Sequence, residues 1–471
     1  MGVADIAVPM HGIGGRGDLP VPLWLAMYSA GAAVAVSFFA LTAFWPHPRY
    51  QPSVHRAFVT RRVGARRAIV TAAGSVADAR VTRWLLKATG MLALGALLVT
   101  AWAGSDSAAD NPAPTWFYVW MWVGIIPVSL VFGPVWRLIN PLRTLAAAGR
   151  RIVHRPDGLR PLPAGISVWP AVAGLAVFLW LELAVPDSSD PRVVAAFGTS
   201  YTVLNVAAGI VFGTGWFRAG DAFEVYGELL AKASPWGCDQ ERRIVPRNPL
   251  AGLAAVPPSA GTVVLVCVLL GSTAFDGISR WSAWTNATAD LGRGGHLGVY
   301  TAGLVAAVTV VGVVFVVAAH AGGAGRLTGS AARRVAGGGQ AWLGPAGGGG
   351  LPGQFAHSLV PIVIGYAIAH YFSFAVFQGQ AGVLLASDPL GRGWDLLGLA
   401  GARIDYGLVS TSLIAEVQVG AIVLGHVLGV VSAHDRAIAV FRRKQLRRAQ
   451  YPLLAAMVAF TAGGIALVAG S

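Results

Sequence analysis

The chain predicts an all-α, polytopic bundle of about ten transmembrane helices, and three observations predict it. Hydrophobic residues make up 55% of the 471 positions and charged residues only 12%, about half the charged share of a soluble domain. Apolar runs long enough to cross a bilayer recur along the whole chain. Finally, with the N-terminus placed outside, 29 of the 35 Lys and Arg residues fall in or beside the inward-facing loops, a strong positive-inside bias. Both termini then lie outside, and the expected setting is a bacterial cytoplasmic (inner) membrane, crossed many times.

The ten runs lie near 21–45, 84–103, 116–136, 166–185, 193–215, 261–277, 298–320, 354–378, 412–433 and 451–469. They form a single integral membrane domain. The first is preceded by a Gly-rich segment from Met10 to Pro20 that cannot hold a regular helix. It lacks the basic region of a cleavable signal peptide, so it is expected to remain as an uncleaved first span. After it come Arg49, Arg56, Arg61, Arg62, Arg66, Arg67, Arg80, Arg83 and Lys87, a stretch suited to anionic lipids at the cytoplasmic face. The longest inward loop, 216–260, contains an expected surface helix around Ala219 to Leu230. Ala321 to Gly353 reads as a flexible connector.

The net charge of +14 does not indicate a nucleic-acid partner, because the basic residues sit in short loops where they set topology. Cys238 and Cys267 are the two cysteines; with no CxxC or CxxCH they support neither a thiolate metal site nor covalently attached haem. No phosphate-cradling GxxxxGK[ST], HExxH, HxH or GxSxG is present. Gly209-x-x-x-Gly213 and Gly425-x-x-x-Gly429 permit close helix approach. Tryptophans near span ends, such as Trp45, Trp136, Trp180, Trp281 and Trp284, suit interfacial anchoring.

Candidate chemistry comes from ionisable residues inside apolar runs, which are costly there and functional by default. His357 and His370 share the eighth run but lie about 20 Å apart along a helix, so they mark two depths. On the inward side, His320, His357, His426 and His434 define one layer, a candidate site for a divalent metal, haem b or copper. The competing structural reading is that His320 and His434, at helix ends, face headgroups or cap carbonyls, with Asp435 and Arg436 forming an interfacial patch. On the outward side lie Glu182, Asp276, His370 and Glu416 with Gln418, joined by Tyr201 and Asn205. A histidine among carboxylates suits acid-base work, proton coupling or divalent-cation binding. Tyr366 and Ser373, at i−4 and i+3, are placed to orient the His370 ring. Interface exposure is the structural alternative for Glu182 and Asp276.

The stretches HGIGGRGDLP (His11 to Pro20), FAHSLVPI and AHYFS (Phe355 to Ser373) and GHVLGVVSAHDRA (Gly425 to Ala437) resemble a family of bacterial multi-span membrane proteins. Some of its members carry the label fenitrothion hydrolase. The resemblance runs over most of the chain and places His11, Asp18, His357, His370, His426 and His434 in recognisable motifs. It implies hydrolysis of an organophosphate ester, although the closely spaced HxH of soluble organophosphate hydrolases is missing. Three function classes follow: a metal-assisted membrane hydrolase, a transporter or proton-coupled permease, and a haem- or copper-binding redox component.

Overall fold

Leu, Val, Ala and Phe in uninterrupted runs bury apolar surface only as helices that satisfy their own backbone, and helices are what the chain forms. The computed structural model describes residues 22–50, 80–238, 244–323 and 349–469. Among these, nine helices are long and apolar enough to cross a membrane. They are α1 (Leu23–Phe44), α2 (Arg80–Ala103), α3 (Pro112–Phe132), α7 (Pro191–Val211), α10 (Ala260–Ser279), α12 (Arg293–Gly323), α13 (Gly350–Leu385), α14 (Thr411–Val440) and α15 (Leu446–Ala469). The fourth expected run is α6 (Trp169–Ala184), 16 residues and therefore about 24 Å long, shorter than a usual span. Short helices α4 (Trp136–Ile139), α5 (Pro141–Ile152), α8 (Ala222–Ala231), α9 (Pro249–Leu253) and α11 (Ser282–Thr288) complete the order.

Helix starts follow local chemistry. Asp190 caps α7 by accepting from the Arg192 amide at 2.6 Å, with Pro191 in the first turn. Ser259 and Ser410 cap α10 and α14 in the same way. Each cap satisfies amides that have no partner within the helix. Within α3, Trp116–Val123 is π-helical, and the Gly124 amide reaches back five residues to Val119 O at 3.0 Å. This local widening turns the aromatic side chains of the segment onto several neighbours.

The helices form two groups. In one, α1 packs on α14 and α15, α12 on α10 and α15, and α13 on α14. In the other, α7 packs on α2 and α5, and α8 packs on α3, α4 and α6. Contacts of α13 with α3, and of α6 with α10 and α12, join them. The seam between α13 and α14 is a close one: a Cβ on Gly425 would lie 2.6 Å from Pro361 O and one on Gly365 would lie 2.3 Å from Ala421 O. The glycines let these backbones touch. Gly209 is used differently, packing against Phe217 and Ala146, while Gly213 lies beyond the helix end with φ +70.

The loop 216–260 departs from expectation. Instead of lying on the surface, α8 is inserted into the bundle, with all its residues except Glu228 buried. Phe223, Val225, Tyr226, Leu229 and Leu230 fall on one face of the helix, an arc of roughly 160°, which packs into the bundle, and Glu224 on the opposite face is buried through its ion pair with Arg143. A small antiparallel hairpin, Trp236–Cys238 with Ile244–Pro246, follows it. The Gly-rich segment with His11 and Asp18, most of the basic stretch after α1, and residues 324–348 of the expected connector lie outside the described residues.

Candidate functional site

The outward-layer residues resolve into one cluster and one outlier. Asp276, near the end of α10, and Arg280, one turn later, face His370 of α13; Asp276 is 4% and His370 7% exposed. Arg280 Nη2 donates to Asp276 Oδ1 at 2.5 Å and stands 2.8 Å from His370 Nε2. The same His370 Nε2 is hydrogen-bonded to Asp276 Oδ2. One ring nitrogen thus faces a carboxylate and a guanidinium together. Glu182, at the end of α6, hydrogen-bonds with Tyr371, whose hydroxyl also accepts from Trp122 Nε1 at 3.3 Å. The second Glu182 oxygen, Oε2, is buried with no hydrogen-bond partner among the described residues. A void of about 10 Å³ lies among Asp276, Tyr371, Trp122 and Tyr226, close to the room one water needs.

The structure corrects three assignments here. Glu416 lies on the exposed face of α14 and does not join His370. Tyr366 points to Gly464 O, and Ser373 Oγ has no partner among the described residues, so the ring is oriented by Asp276 and Arg280. Tyr201 and Asn205 belong elsewhere. Arg280, Tyr371 and Tyr226 were not singled out from the sequence; the i, i+4 spacing of Asp276 and Arg280 was the available signal.

A second cluster is built around the start of α8. Asp221 accepts from Tyr201 Oη and from Asn140 Nδ2, both at 2.7 Å, and caps α8 through the Phe223 and Glu224 amides. Glu224, fully buried, receives Arg143 Nε and Nη2, both at 2.5 Å, and Asn140 Nδ2 at 3.0 Å. Asn205 instead accepts from Trp216 Nε1. Both carboxylates at the start of α8, Asp221 and Glu224, are met, so this cluster anchors the inserted helix. The sequence signal was D-x-x-E at the start of α8, a capping pattern.

Burial, and next the neighbouring Glu224 carboxylate, push Asp221 up to about 6 from the ordinary 3.8. Because the folded value is the raised one, the stability it supports is complete below the unfolded value and declines as pH rises through the folded value. Thermal unfolding of the wild type is therefore expected to shift downward between about pH 4 and pH 7 relative to Asp221→Asn. Parallel pH profiles for the two proteins would refute this origin of the dependence.

The four inward histidines do not share a site. His320 is exposed, its Nδ1 2.8 Å from Val316 O of its own helix. His357 is buried and hydrogen-bonded with the backbone of Ser432 and Gln354. His426 Nδ1 donates to Ile422 O at 2.8 Å, leaving a buried Nε2 with no partner among the described residues. Both ring nitrogens of His434 are occupied by carbonyl oxygens, of Gln450 at 2.9 Å and of Trp45 at 3.2 Å. Asp435 accepts from Trp45 Nε1 and from the Arg49 and Tyr50 amides. The expected interfacial patch at His434–Asp435 is thus buried and fastens the segment after α1. Among the described residues, no three His, Cys, Asp or Glu side chains are grouped to hold a metal ion.

Comparison with protein-family models, with curated proteins and with solved structures finds no match to this chain.

Proposed function

We propose that this integral membrane protein is a proton-coupled permease whose protonation site is the Asp276–Arg280–His370 cluster. The observation that carries the reading is the single nitrogen His370 Nε2 set between a carboxylate and a guanidinium. With a hydrogen on Nε2, the ring donates to Asp276. With Nε2 bare, the ring accepts from Arg280. Loading and unloading one proton therefore exchanges the partner of His370 and changes the tie between α10 and α13. Such a two-state element inside apolar helices is what coupling requires.

The surroundings favour proton handling over the other two classes. Glu182 Oε2 offers a second buried acceptor, and the water-sized void with Tyr371 and Tyr226 extends the polar path toward α8. A metal-assisted hydrolase calls for a ligand set, and the described residues group none. For haem b or copper, His426 alone among the three buried inward histidines has a ring nitrogen seen to be free.

In proteoliposomes carrying an internal pH dye, a panel of amino acids, organic acids, sugars, amines and inorganic cations is expected to contain a solute whose addition changes lumenal pH. His370→Gln should reduce that response at least tenfold while the protein remains folded. A complete panel without any solute-linked pH change, or a response indifferent to His370→Gln, rejects the permease reading.

A further inference from the structure

Away from the two clusters, an apolar cavity of about 370 Å³ lies between α2, α3, α5 and α7. That is within the size range of small-molecule sites. Leu94 and Leu97 of α2, Trp116 and Trp120 of α3, Phe197 of α7 and Leu142 of α5 form its walls. Among the described residues no Asp, Glu, Lys or Arg lines it, so it is unsuited to an ion. Its rim includes Ala93 and Ala96, both exposed, and Trp120, 44% exposed. These residues lie in the middle of their spans, so the opening faces hydrocarbon, and a ligand arrives from the bilayer.

Three hydrogen-bonding groups on the wall are already engaged. Trp116 Nε1 donates to Gly382 O at 3.0 Å, Trp120 Nε1 to Gly379 O at 3.2 Å, and Tyr201 Oη to Asp221. Trp136 also lines the cavity, and its indole N–H is buried with no partner among the described residues. A buried donor left unmet costs free energy that an added acceptor recovers. The sequence suggested an interfacial anchor at Trp136, and the same residue lines the cavity. It stands just past the end of α3, on the helix whose Ile139 meets Gly90, one turn beyond Lys87. This is the depth at which a carbonyl group at the edge of the hydrocarbon is expected.

From these features we infer that the cavity binds a neutral molecule with an apolar body and a carbonyl oxygen at one end, held by the Trp136 N–H and the aromatic walls. A glycerolipid acyl ester and a free lipophilic ester share this chemistry. The site is independent of the proton-coupling reading and stands if that reading fails.

Tryptophan emission of the full chain in nanodiscs, titrated with a phosphatidylcholine brominated in mid-chain or with ethyl 4-bromobenzoate, tests the site. Saturable quenching is expected from one of them, reduced at least fivefold by Ala93→Phe or Ala96→Phe, which plug the rim. Trp136→Phe keeps the ring but removes the donor and should weaken binding three- to tenfold. Saturation by the bromolipid, with lipid retained through detergent washing, identifies a lipid site. Saturation by the aryl ester, reversed by ethyl benzoate, identifies a site for free esters. Absence of saturable quenching by both probes, or quenching unaffected by both rim substitutions in folded protein, overturns the inference.

Discussion

Arg143→Ala is expected to destabilise the protein more than any other single truncation of a charged side chain, by about 3–5 kcal/mol, the usual cost of stranding a buried charge. Glu224 is fully buried and receives two hydrogen bonds from this guanidinium, which also stacks over Phe217 at 4.9 Å. Without Arg143, only the Asn140 amide still meets the Glu224 carboxylate, while Asp221 competes for the same amide. The helix start that inserts α8 into the bundle then carries an uncompensated charge. The double substitution Arg143→Leu with Glu224→Leu removes both charges and should recover most of the loss, since replacing a buried pair by apolar side chains is often close to neutral. Thermal unfolding in mild detergent, followed by near-ultraviolet circular dichroism, distinguishes the cases. Wild-type stability in Arg143→Ala would show that the pair does not hold α8, and a double variant no better than the single would point to lost packing instead.

The second large effect is expected at the α13–α14 seam. Gly365→Ala places a Cβ against Ala421 O at 2.3 Å, a contact with backbone that no rotamer change relieves. The helices must separate, at a cost on the order of several kcal/mol, as for other overpacked or backbone-clashing substitutions. His370 lies little more than one turn further along α13, so separation also moves Nε2 relative to Asp276 and Arg280. Loss of stability and loss of the His370-dependent pH response should therefore appear together. Gly420→Ala on α14 is the control: nothing lies within 4 Å of its Cβ position, and Ala is the better helix former by roughly 0.5–1 kcal/mol. Similar behaviour of the two variants would show that the seam does not depend on glycine.

Much of the architecture was legible because hydrophobicity and length leave membrane helices few alternatives. The all-helical bundle, the order of the long helices and the close approach at Gly425 all follow from local composition. Even the short α6 was visible as an apolar run, although the expected run began three residues too early and ended one too late. Glu182, Asp276 and His370 were legible as a site for a related reason: a charge or imidazole in such a run stands out. Nothing local, by contrast, distinguishes Glu416 from Asp276. Both sit near a span end, and only the rotation of α14 turns Glu416 outward while α10 turns Asp276 toward α13.

The inward histidines show the same division. Their types and depths were correct grounds for suspecting a shared site, yet His320 faces out, His434 is spent on Gln450 and Trp45, and His357 and His426 bond to different carbonyls. By itself, then, the sequence determined that this is a polytopic membrane protein and which side chains are expensive enough to matter, because transfer into hydrocarbon is a property of each residue. The tertiary structure alone decided which of them meet: Arg280 with His370, α8 with Asn140 and Arg143, Trp136 with an apolar cavity. Those pairings depend on helix rotation and on the insertion of one amphiphilic loop, and such quantities are set by packing between segments far apart in the chain.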